Sequence, residues 1–181
     1  YQPHLALALA CDQLLNQTSI PQQFDAILID EGQDLLVDKN SKLEHRQPFY
    51  QLAYQALRPV HPTQPQQRRL IWTYDEAQSL NSLNIPTAPE LFGDDPKFKR
   101  MVSGFHQGGI RKSEVMNKCY RTPGPILVAA HAIGMGLLRE DGMLRGFTTQ
   151  DDWENIGYEV QEGSFRPGNK IVLHRAQETM P

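Results

Sequence analysis

Phe24-Asp25-Ala26-Ile27-Leu28-Ile29-Asp30-Glu31-Gly32-Gln33-Asp34 changes character in a single step. Its first six residues are a short, mostly apolar run that suits a buried parallel strand. The last five set four polar side chains around one glycine. An apolar strand that ends in Asp-Glu places two carboxylates at the carboxyl edge of a sheet, where open α/β sheets bind their ligands. In a nucleotide hydrolase the first acid of such a pair holds Mg²⁺ and its neighbour polarises the attacking water. The plain alternative is an acidic turn that caps the segment after it.

The same pattern recurs downstream. Arg-Leu-Ile-Trp-Thr-Tyr at 69–74 is a second buried-strand candidate, with Trp72 in its core-facing part, and it runs straight into Asp75-Glu76-Ala77-Gln78. Around these two strands the chain predicts helices over 3–16 and 47–57. In the first helix Leu7, Cys11 and Leu14 fall close to one face. Pro59, Pro62 and Pro65 enforce an extended connector, and 85–96 reads as loop with one short helical turn. Beyond the basic residues Lys97, Lys99, Arg100, Arg111 and Lys112, a strand is expected over 114–120 and a helix over 123–138, opened by Pro123. Two further strands, 158–161 and 170–174, flank the turn Arg166-Pro167-Gly168-Asn169. Alternating strands and helices define the class as α/β. Gly108-Gly109 marks a plausible break, giving expected domains of 1–108 and 109–181.

Composition narrows the function. With 181 residues, 39% of them apolar and 22% charged, the chain can bury a core and is not of disordered composition. A formal net charge of −3 excludes a strongly basic nucleic-acid coat, while leaving room for a local basic groove. Lys97, Lys99 and Arg100 are either an ordinary solvated face or part of a phosphate track. Two cysteines, Cys11 and Cys119, cannot build a disulfide framework or a four-cysteine zinc site, and the six histidines show no HxxxH or HExxH spacing. A reducing cytoplasmic setting is expected, with no membrane partner, since no stretch approaches the ~18 apolar residues of a span. Starting at Tyr1, the chain reads as a piece of a longer protein.

Taken together, three motifs resemble one family. Asp30-Glu31-Gly32-Gln33-Asp34 is similar to motif II, the Walker B variant, of superfamily 1 helicases of the UvrD/Rep type. Tyr74-Asp75-Glu76-Ala77-Gln78-Ser79-Leu80 resembles their motif III, and Cys119-Tyr120-Arg121-Thr122-Pro123 their motif IV. The three stand in the family's order at equal intervals, Asp34 to Asp75 and Gln78 to Cys119. The resemblance implies a partial RecA-like parallel sheet with flanking helices, of the P-loop NTPase type, followed by the start of a second RecA-like domain. It also implies the cofactors ATP and Mg²⁺. Asp30 would bind Mg²⁺ through water and Glu31 would be the general base. Gln78 would sense the γ-phosphate, and Gln33 and Asp34 would couple the nucleotide site to the motif III segment. Arg121 would be an arginine finger supplied from the second motor domain.

The sequence departs from that pattern in places. Tyr74 stands where the family has Gly, Cys119 where it has Asn, and Asn81 and Leu83 where stacking aromatics are often found. No GxxxxGK[ST] occurs, so the Walker A loop, like motifs V and VI, would come from the rest of a parent chain. The expectation is an ATP-dependent helicase acting on single-stranded or partly duplex DNA, with RNA as the alternative polymer, and inactive as the isolated segment. Two rivals remain: a degenerate helicase-like module that binds nucleic acid or protein without hydrolysing ATP, and a metal-dependent hydrolase using Asp30, Glu31, Asp75 and Glu76.

Overall fold

In a computed structural model the two apolar runs pair side by side. The structure describes residues 3–37, 43, 47–75, 87–93, 95–98, 101–135, 149–166 and 168–180. Gln78, Glu76, Lys99, Arg100 and the expected end of the helix at Leu138 lie outside the described residues. The described chain forms two compact units, the first ending at Ser113 and the second beginning at Glu114.

The first unit opens with α1 (Pro3–Gln17), followed by β1 (Ile27–Ile29), α2 (Pro48–Ala56), β2 (Leu70–Trp72) and α3 (Ala88–Phe92). β1 and β2 are parallel, in the register Ile27↔Leu70, Leu28↔Ile71, Ile29↔Trp72. Both strands are shorter than the apolar runs that contain them, and Phe24 joins only through an isolated bridge to Leu57. One face of the pair is buried. Ile29 packs there with Tyr50, Tyr54, Leu91, Phe92 and Phe98, and Trp72 lies half-buried against that core. The rings of Tyr50 and Trp72 meet edge to face at 5.9 Å. The opposite face is not covered by any described residue: Leu28 is 69% exposed and its register partner Ile71 is 60% exposed. The strands are therefore buried on one side, where the apolar run predicts burial on both.

α1 turns a different stripe inward from the one its larger side chains suggest. Ala8 and Cys11 are buried, with Leu5 and Leu15 half-buried on the same side, while Leu7 and Leu14 are exposed. Small residues at the centre of this stripe let α1 approach α2 closely, so Ala8 takes the central place that a hydrophobicity count gives to leucine. The expected short turn in the proline-rich loop is α3. Thr87 and Glu90 close a reciprocal capping box on it. Gly108 and Gly109, at φ 97° and 81°, form a tight turn closed by His106 N–H to the Ile110 carbonyl at 2.7 Å, inside the first unit.

The second unit contains α4 (Gly124–Gly134), α5 (Gln150–Asn155), β3 (Tyr158–Gly163) and β4 (Ile171–Arg175). β3 and β4 pair antiparallel around the expected turn, with a bulge between Val160 and Glu162. α5 was not anticipated. Thr149 and Asp152 cap it reciprocally, and it buries Trp153, 1% exposed, edge-on to Tyr158. No strand forms over 114–120. That segment has one backbone bond to this unit's last turn, Cys119 N–H to the Thr179 carbonyl at 3.0 Å, and no partner strand among the described residues. The fold is mixed α/β, with a small parallel two-stranded sheet and flanking helices.

Candidate active site at the carboxyl edge of the parallel pair

Parallel pairing brings the ends of β1 and β2 to the same edge, so Asp30 and Thr73 leave the sheet side by side. Thr73 N–H donates to the Ile29 carbonyl at 2.9 Å, and Gly32 N–H donates to the Thr73 carbonyl at 2.9 Å. The Thr73 hydroxyl donates to Asp30 Oδ1 at 2.5 Å and accepts from Glu31 N–H at 3.3 Å. Asp30 Oδ1 also lies 3.1 Å from Glu31 N. The chain turns sharply here. Glu31 has φ 51° and ψ 48°, and it is the only non-glycine residue with positive φ among the described residues. A left-handed conformation costs a glutamate about 1–2 kcal/mol, which the surrounding bonds offset.

Gly32 follows because nothing larger fits. A Cβ there would overlap the Tyr50 hydroxyl and lie 2.9 Å from the Thr73 carbonyl oxygen. The fully buried Tyr50 donates its hydroxyl to the Gly32 carbonyl at 2.9 Å. Burial holds that phenol well above its ordinary pKa, so it stays a neutral donor.

Gln33, buried to 9% exposure, uses both ends of its amide. Nε2 donates to Glu31 Oε2 at 2.6 Å, and Oε1 accepts from Asp75 N–H at 3.0 Å. The amide thus joins the second acid to the backbone just beyond β2. Asp34 makes no side-chain link of this kind among the described residues. Its backbone closes the turn onto the Glu31 carbonyl at 3.0 Å, and its carboxylate is exposed.

Asp30 Oδ2 has no partner among the described residues, and the side chain faces solvent. No group of three or more His, Cys, Asp or Glu that could cage a metal occurs among the described residues. One exposed carboxylate suits a hydrated Mg²⁺, which keeps several of its waters and takes only one or two protein oxygens.

Arg121 lies in the second unit, exposed, on the segment that leads into α4. Its surroundings are anchored from behind. Arg175 is buried and donates to the carbonyls of Ile156 at 2.5 Å, Asn117 at 3.0 Å and Thr179 at 3.3 Å, with no carboxylate among its described partners. Cys119 accepts from Thr122 N–H at 3.4 Å. The backbone N–H groups of Thr122 and Arg121 hold this thiol below its ordinary pKa. Cysteine thus serves as the local acceptor of this turn. Thr73, Tyr50 and Arg175 were not singled out from sequence. Each looks like an ordinary strand or helix residue until the register is known.

Comparisons of the chain with family models, with curated proteins and with solved structures find no match.

Proposed function

We propose that this chain is the central segment of an ATP-dependent DNA helicase or translocase: the later part of one RecA-like domain and the start of a second, working in the cytoplasm on single-stranded DNA. The reading rests on three ordered motifs and is supported most by one observation. Parallel register sets the acid pair Asp30-Glu31 and the Tyr74-Asp75 segment at one carboxyl edge, with Gln33 bonded to both. The Walker A loop and motifs V and VI are supplied outside these residues.

In this site Asp30 would hold a hydrated Mg²⁺ through its outward carboxylate oxygen. Mg²⁺, when bound with ATP, neutralises charge on the phosphate oxygens. Glu31, oriented through Oε2 by Gln33, accepts the proton of the attacking water. Gln78 reads the γ-phosphate, and Arg121 stabilises transition-state charge. The test is DNA-stimulated ATP turnover by the complete polypeptide. Glu31→Gln lowers kcat by about 10²–10⁴ while nucleotide binding persists. Wild-type protein that binds nucleic acid but never turns over ATP supports the non-hydrolysing module instead.

A further inference from the structure

We infer that Thr73 is the positioning residue of the acid pair, holding Asp30 and Glu31 in the geometry that accepts a divalent cation and an attacking water. The inference rests on the proposed ATP site and names a residue outside its three motifs.

Every hydrogen-bonding group of Thr73 is committed to residues 29–32. Its N–H meets the Ile29 carbonyl, its carbonyl meets Gly32 N–H, and its hydroxyl bridges Asp30 Oδ1 and Glu31 N–H. A hydroxyl is the one small group that can donate to the carboxylate and accept from the amide at once. By taking Oδ1, it leaves Oδ2 as the outward-facing oxygen. By accepting from Glu31 N–H, it supports the left-handed turn that carries the second acid. Groups that orient a metal-binding carboxylate govern metal affinity without touching the metal. Thr73 also stands directly before Tyr74 and Asp75, so a shift at the end of β2 alters the hold on both acids.

Thr73→Val keeps the β-branched shape at this exposed position and removes only the hydroxyl. In the complete polypeptide with a non-hydrolysable ATP analogue, Mn²⁺ binding read by electron paramagnetic resonance should weaken roughly fivefold. The Mg²⁺ concentration for half-maximal turnover should rise by a similar factor, with metal-free nucleotide affinity unchanged. Thr73→Ser should restore both. If the Val variant does not fold, Thr73→Cys, a weaker donor of similar size, is read in its place, with an intermediate effect expected. Wild-type Mn²⁺ affinity in the hydroxyl-free variant, alongside metal loss in Asp30→Asn, overturns the role of Thr73. Full metal affinity and turnover in Asp30→Asn overturns instead the reading of the acid pair.

Discussion

The turn from Asp30 to Gln33 is tied by the side chains of Thr73, Gln33 and Tyr50, whereas the exposed Arg121 guanidinium has no partner among the described residues. The acid turn draws its bonds from the residue after β2, from within itself and from α2: Thr73 holds Asp30, Gln33 holds Glu31, and Tyr50 holds Gly32. The arginine segment is bonded to Arg175 and Thr179, and the guanidinium itself has no partner among the described residues. The first arrangement is pre-organised. The second has its support in place and its charged end uncommitted among the described residues. The proposed finger role would have Arg121 contribute to the transition state more than to ground-state binding.

The largest effect that tests this contrast is therefore kinetic. Arg121→Ala in the complete polypeptide should lower kcat by about 10³–10⁵ and change nucleotide affinity much less. Lys should rescue poorly, because it lacks the planar fork. ATP turnover with single-stranded DNA, read beside nucleotide titration, separates the two; near wild-type kcat would leave Arg121 an ordinary surface residue.

Next in size is the packing of the acid turn. Gly32→Ala should destabilise the first unit by about 2–4 kcal/mol, through overpacking and loss of the Tyr50 hydrogen bond. In a Tyr50→Phe background the same substitution should cost less, since the overlapping oxygen is gone. Denaturant melts of the four proteins in that cycle decide it, and strict additivity would mean the two groups do not compete for space.

The smallest effect has the opposite sign. Glu31→Gly relieves the left-handed strain and should raise stability by roughly 0.5–1 kcal/mol, while removing the carboxylate that the proposed chemistry needs. A thermal melt showing a loss of stability would mean that the bond from Gln33 outweighs the strain.

Local patterns carried much of this fold. The apolar runs around Ile27–Ile29 and Leu70–Trp72, the helix before Gln17, the proline-opened α4 and the β3–β4 hairpin were all legible, because period, proline and turn residues act over a few positions. Parallel pairing of these runs is what the motif resemblance implies, and the register itself is set by the structure. What stayed hidden depends on contacts distant in sequence. Nothing in Arg-Leu-Ile-Trp-Thr-Tyr marks Thr73 as a bridge to residues 43 and 42 positions earlier. The buried Arg175 contradicts the usual exposure of arginine and is explained only by three carbonyls that converge from separate segments. The extended segment before Arg121 has the composition of a strand, but no neighbour to pair with among the described residues.

Gln33 makes its two bonds with a group that does not titrate. A carboxylate in its place could not donate to Glu31, an ammonium could not accept from Asp75 N–H, and an imidazole would change its donor count near neutral pH. The amide donates at one end and accepts at the other at every pH the protein meets. Gln33 therefore adds no titrating group of its own to the tie between the ends of β1 and β2.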